Sequence, residues 1–259
     1  MKQLMEYKII SGRTVEIRRS YLSVRSGSQP KKRGLRRAGA SSMKKILANK
    51  LSSARRLAQK INVNFHPRDG WVTLKYDAAH LPPDFEAAVE NMNKFLRVFR
   101  REYRKRTGRA TLIIWQTANW SPKRKAPARL HQHMVVPADA IDLVRQLWRG
   151  GSVITVELDG SGDYSAIASY MEDNVHGRPQ KKKWHCSRGM AEPIYTEPVP
   201  VSDVEGIQPE KGSIINAHDK SVDEDGVVVS TYLRCTLPEA PRVRGGQIYM
   251  TRRGGRKNE

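Results

Sequence analysis

From position 129 the chain reads Arg-Leu-His-Gln-His-Met-Val-Val, and its side chains alternate in character. An extended strand points residues i and i+2 to the same face. His131 and His133 therefore project together, while Leu130, Gln132, Met134 and Val136 point the other way. The segment demands a sheet with one face given to a core and the other to two adjacent imidazoles. Such a pair can hold a divalent metal. A tyrosine, Tyr170, follows 37 residues after His133 in Tyr-Ser-Ala-Ile-Ala-Ser-Tyr-Met at 164–171. A metal beside a tyrosine hydroxyl can turn that hydroxyl into a nucleophile.

The electrophile is suggested by charge. The 259 residues carry a formal net charge of +21, which points to a polyanionic partner, most commonly nucleic acid. Residues 1–60 hold most of the excess, with Glu6 and Glu16 their only acids. Within 201–259 acids and bases cancel. Cys186 and Cys235 are too few for a disulfide framework or a cysteine zinc site. The N-terminus lacks the apolar run of a signal peptide, and no stretch has the length of a membrane span. A cytoplasmic protein that does not engage membranes is expected.

The pass along the chain predicts three regions. Residues 1–61 read as a basic arm followed by an amphipathic helix. The arm holds Lys31, Lys32, Arg33, Arg36 and Arg37, with a short strand near Val15 and Ile17. The helix is capped by Ser41 or Ser42. Met43, Ile46, Leu47, Leu51, Ala54, Leu57 and Ala58 form its apolar face, and Lys44, Lys45, Arg55 and Arg56 its phosphate-facing one.

Residues 62–200 form the main domain. A strand at 71–76 is followed by a helix opened by Pro82, Pro83 and Asp84, whose stripe Phe85, Ala88, Val89, Met92, Phe95, Leu96 and Phe99 is core. Its far end carries Arg97, Arg100, Arg101, Arg104, Lys105 and Arg106, basic enough to touch DNA. Then come a strand at 111–117, a Lys- and Pro-rich loop, the histidine strand, a helix at 138–148, a strand at 153–158 and a helix capped by Asp163 that carries Tyr170. The order β-α-β-β-α-β-α implies an α/β sandwich, a largely antiparallel central sheet with packed helices. Residues 201–259 form a C-terminal extension with one strand at 226–233 and a mobile Gly/Arg-rich tail.

These residues resemble the HUH endonucleases, and within them the rolling-circle replication initiators of bacterial plasmids, integrative elements and phages. The resemblance covers about 62–200. It is carried by Val-Thr-Leu-Lys-Tyr-Asp at 72–77, the Pro-Pro-Asp-Phe helix, His-Gln-His-Met-Val-Val, Leu-Trp-Arg-Gly-Gly at 147–151, Ile-Ala-Ser-Tyr-Met at 167–171 and Lys-Lys-Trp-His-Cys-Ser-Arg-Gly at 182–189. It implies that His131 and His133 are ligands of Mg²⁺ or Mn²⁺, with Gln116 in the third ligand position, and that Tyr170 is the nucleophile. Gln116 offers a carbonyl oxygen without charge, and reads equally well as an ordinary sheet residue. Gln132 stands where the family has a hydrophobic residue. Asp173 stands where it usually has a lysine, for which Lys181, Lys182 or Lys183 are substitutes from the following loop.

The implied activity is site-specific nicking and joining of single-stranded or hairpin origin DNA through a 5′-phosphotyrosine, with a host polymerase and helicase as partners and a monomer or dimer as the working form. Lys181, Lys182, Lys183, Trp184 and Arg188 would join the basic arm and helix in holding DNA. Trp184 is open to base stacking or packing. Tyr164 is the rival nucleophile, better read as packing, and His176 and His185 are read as surface residues. The alternatives are a non-enzymatic nucleic-acid binder with a decayed site, or a relaxase or transposase of the same superfamily.

Overall fold

The computed structural model describes residues 2–23, 43–177, 182–244 and 247–249. In chain order these form β1 (Lys2–Ser11), β2 (Thr14–Ser23), α1 (Met43–Asn64), β3 (Gly70–Lys75), α2 (Phe85–Thr107), β4 (Ile114–Ser121), β5 (Ala126–Val136), α3 (Ile141–Leu147) behind a short 3₁₀ turn at Ala138–Ala140, β6 (Val153–Glu157), α4 (Ser165–Asp173), β7 (His185–Cys186), β8 (Ile194–Tyr195), β9 (Val199–Pro200), β10 (Ile214–Val222), β11 (Val228–Thr236), β12 (Arg242–Arg244) and β13 (Gln247–Tyr249). The class is α+β, with two principal antiparallel sheets and four α-helices. Among the described residues no helix is long and apolar enough to cross a membrane.

The chain divides into two compact units, 43–192 and the two ends 1–42 with 193–259, which are boundaries other than 61 and 200. Residues 2–23 are a hairpin rather than an arm with one short strand. Gly12 at its tip takes φ 60, a left-handed turn conformation that glycine adopts without a Cβ clash. The hairpin pairs with β11, and β11 with β10, giving the order β10-β11-β2-β1-β8 with β9 also on β1. The C-terminal region thus supplies two long strands where the sequence pattern indicated one. Ile10, Val15, Ile17, Leu233, Cys235 and Leu237 form this unit's core.

The unit 43–192 keeps the expected β-α-β-β-α-β-α order from β3 to α4. Its sheet runs β6-β3-β5-β4-β7, antiparallel throughout. Helix α2 begins where Asp84 accepts the Ala87 N–H at 2.7 Å and ends at Gly108, φ 73, a cap worth about 1 kcal/mol. Its stripe of Met92, Phe95, Leu96, Phe99 and Tyr103 packs with α3 on one face of the sheet, against Val72, Leu74, Trp115, Met134 and Val136. Each such side chain contributes roughly 1.5–3 kcal/mol of burial.

The other face meets α1 and α4 through Leu57, Ala58, Ile61, Ala168 and Met171, packed on Ile114 and Val135. Here the apolar face expected of α1 is only half used, because Met43, Ile46, Leu47 and Leu51 are exposed and burial becomes complete from Leu57. The reason is length: 22 residues span about 33 Å against about 14 Å for the nine of α4. Ser41 and Ser42, the expected caps, lie outside the described residues. At α4 the N-cap position is Tyr164, and Asp163 instead accepts the Ser165 N–H at 3.1 Å. Strand β4 starts later than 111 because the Ile113 N–H bonds the Ser187 hydroxyl.

Candidate metal and nucleophile site

Pairing in β3-β5-β4 sets Thr73 and Gln116 directly opposite His133, and Lys75 and Ala118 opposite His131. In antiparallel pairs opposed residues share a face, so one face of three strands gathers Trp71, Thr73, Lys75, His131, His133 and Gln116. Gln132 belongs to the other face. It is fully buried, accepts the Thr117 hydroxyl at 2.8 Å, and donates to Tyr76 Oη and the Ala88 carbonyl, both at 3.0 Å. Its polarity serves the core.

The two imidazoles converge. His131 Nε2 and His133 Nε2 are 3.1 Å apart, with the rings nearly perpendicular. His131 Nδ1 lies 2.8 Å from the Arg129 carbonyl, which can only accept, so Nδ1 carries the proton and Nε2 is bare. His133 Nδ1 is 3.1 Å from the Thr73 hydroxyl, and its ring lies flat on Trp71 with centroids 4.7 Å apart. Burial, then the neighbouring His131, push His133 down to about 3. His131 is lowered as well, by burial first, with the Lys75 charge adding to it. Both rings are therefore neutral near pH 7 and keep lone pairs for a cation.

Two carboxamides lie next to the histidines. Gln116 is fully buried and donates to the Met171 carbonyl of α4 at 2.7 Å, while its Oε1 has no hydrogen-bond partner. Asn174, also fully buried, brings Nδ2 to 3.2 Å from His133 Nε2 and leaves Oδ1 without a partner. Such orphaned oxygens are costly in an interior. Among the described residues no three or more of His, Cys, Asp and Glu form a metal-holding group, so the donor set is neutral: two imidazole nitrogens and amide oxygens. It fits a divalent cation. Ligands at neighbouring corners of an octahedron with bonds of about 2.1 Å lie roughly 3 Å apart, the separation of the two Nε2 atoms.

Tyr170 stands beside these residues. Its ring is 5.6 Å from that of His133 and 6.3 Å from Trp71, edge-on to both, and the residue is 44% exposed. Helix α4 is fixed beneath it. The Asn174 N–H bonds the Tyr170 carbonyl at 3.0 Å, and the Asn174 carbonyl accepts from Asn119 and Trp120 at the bulge of β4. Tyr164 is 4% exposed and donates its hydroxyl to the Asp159 carbonyl at 2.9 Å, a packing role.

The other expected site residues divide. Asp173 pairs with Lys50. Lys183 is held by the buried Glu172 at 3.2 Å and by its carbonyl at 3.0 Å. Trp184 packs on the α1/α4 core and donates to the Ser53 hydroxyl. Neither Lys183 nor Trp184 is free for DNA. Lys45, Arg56, Lys182 and Arg188 are exposed and Arg55 is half-buried. Lys31, Lys32, Arg33, Arg36, Arg37 and Lys181 lie outside the described residues, as does the side chain of Lys44. His176 stacks on Trp120 and His185 on Trp115.

Trp71, Thr73 and Asn174 were not singled out from the sequence. For Asn174 a signal exists, since it lies four residues, about one turn, beyond Tyr170. Comparison with protein-family models, curated proteins and solved structures finds no match to this chain.

Proposed function

We propose that the chain is a metal-dependent enzyme that nicks and rejoins single-stranded DNA at a specific site, initiating rolling-circle replication of a mobile element. The observation that carries the reading is the exposed Tyr170 beside two neutral imidazoles whose Nε2 atoms lie 3.1 Å apart, on a strongly basic chain. His131, His133 and the Gln116 oxygen would hold Mg²⁺ or Mn²⁺. Such a cation, when bound, polarises a phosphate oxygen and offsets its charge.

Tyr170 Oη attacks the scissile phosphorus and loses its proton to water at its exposed edge. The Oη–P bond forms as the P–O3′ bond breaks, the electron pair leaves with O3′, and O3′ takes a proton to give a free 3′-hydroxyl. The 5′-phosphotyrosine keeps the energy of the broken ester, so the reverse attack by a 3′-hydroxyl rejoins DNA without ATP. A hairpin or unpaired origin in the cytoplasm, read with a host helicase and polymerase by a monomer or dimer, is the setting that suits this chemistry.

Among the described residues no carboxylate joins the two histidines, which favours a second reading, a DNA binder with a decayed site. Single-stranded oligonucleotides tiled from the chain's own genetic element, incubated with Mn²⁺ or EDTA, separate the two. A denaturation-resistant, Mn²⁺-dependent adduct that survives in Tyr164→Phe and is lost in Tyr170→Phe is expected, a fall of at least about 10³-fold. Tight DNA binding with no adduct from any oligonucleotide refutes the enzyme.

A further inference from the structure

A phosphodiester attacked by a tyrosine oxygen gathers a second negative charge, and the ligands on this face are neutral. A fixed positive side chain is the missing electrostatic element. Among the described residues three lysines are placed at the histidine face or the tyrosine helix by strand register or by an ion pair, and two are engaged: Lys50 with Asp173 and Lys183 with Glu172. Lys75 is the third. It is exposed, stands opposite His131 in the β3–β5 register, and makes no ion pair among the described residues.

Its main chain is unusually well held for a strand end. The Lys75 N–H bonds the Ser152 carbonyl at 2.9 Å, and its carbonyl accepts Trp148 Nε1 at 3.2 Å. Gly151 comes so close that a Cβ there would meet the Lys75 carbonyl oxygen at 2.5 Å. The backbone is rigid and the side chain is open to solvent on the side of the histidines.

We propose that Lys75 is the phosphate-binding cation of this site, its ammonium group contacting a non-bridging oxygen of the scissile phosphate. The proposal rests on the nicking reading above. Lys75 neither gains nor loses a proton; it balances charge while Oη–P forms and P–O3′ breaks. A lysine suits this as a compact point charge.

The test uses the full chain in two arms. In the Tyr170→Phe background with EDTA, Lys75→Met should weaken binding of a single-stranded oligonucleotide and reduce the slope of log affinity against log salt by about 0.7, the value for one lost phosphate contact. With Tyr170 present, Lys75→Met should slow adduct formation about 100-fold, and Lys75→Arg should recover most of it. Mn²⁺ affinity, read by electron paramagnetic resonance, should be unchanged or tighter in Lys75→Met, because a repelling charge has gone. A purely structural role would weaken Mn²⁺ binding and DNA binding together and overturns the proposal. So does an unchanged salt slope, whatever the wild-type chain does. A lowered slope with no adduct from the wild type overturns the nicking reading alone and supports Lys75 as a phosphate contact.

Discussion

Two glutamines, one on each face of the five-stranded sheet, are both fully buried and have opposite surroundings. Gln132 faces α2 and has its oxygen and nitrogen satisfied by Thr117, Tyr76 and Ala88. Gln116 faces α4, opposite His133 in the strand register; its nitrogen is satisfied and its oxygen has no partner. The α2 face is finished: apolar, interdigitated, every polar atom of its glutamine spent on the fold. The α4 face keeps two neutral imidazoles and two amide oxygens without hydrogen-bond partners. Both faces carry a core, and only the α4 face leaves buried polar atoms of its glutamine and asparagine unpartnered.

That division can be strained first by pH. His133 is held near 3 in the fold against about 6.5 in an unfolded chain. Below pH 6.5 the unfolded chain takes up a proton that the folded one excludes. The contribution is therefore complete above about 6.5 and lost as pH falls toward 3. Between about pH 7 and about pH 4.5 the loss should be on the order of 2–3 kcal/mol, and His133→Gln should flatten it. All five tryptophans lie within 43–192, so urea unfolding followed by tryptophan emission reports this unit alone. A stability independent of pH in His133-containing protein would break the comparison.

The two glutamines give the next effects. Gln132→Leu removes the acceptor of the Thr117 hydroxyl and the donor to Tyr76 Oη and the Ala88 carbonyl, and should cost about 2 kcal/mol while leaving Mn²⁺ affinity unchanged. Gln116→Leu removes an orphaned oxygen along with one good hydrogen bond. It should change stability by less than about 1 kcal/mol and weaken Mn²⁺ binding about tenfold, which is about 1.4 kcal/mol of binding. Denaturant midpoints and Mn²⁺ titrations of both variants check the pair. Equal stability losses would erase the contrast between the faces.

Much of the site unit was legible because its signals are local. The helical stripe from Phe85 to Phe99 and the Asp84 cap predict α2. The alternation through His131 and His133 predicts both the strand and which way Gln132 points. Tyr164 as packing follows from its place at the first turn of an apolar helix. The terminal sheet was not legible for the opposite reason. β1 and β2 carry Lys, Glu and Arg throughout, and β2 finds its partner β11 some two hundred residues away, so no local window shows the surface that covers them. The reach of α1 beyond α4 is also a property of packing, invisible in a helical stripe that runs unbroken from Met43 to Ala58. Within the site, Trp71 and Thr73 reach His133 only through strand register. The orphaned Gln116 oxygen exists because the amide nitrogen turns to the Met171 carbonyl, a contact between elements 55 residues apart.

The most direct test of the central claim is a Mn²⁺ titration of the full chain at neutral pH, read by electron paramagnetic resonance, beside His133→Ala and Gln132→Leu. One bound ion per chain, lost in His133→Ala and retained in Gln132→Leu, is expected. No bound ion in the wild type, or an ion that survives His133→Ala, would contradict it.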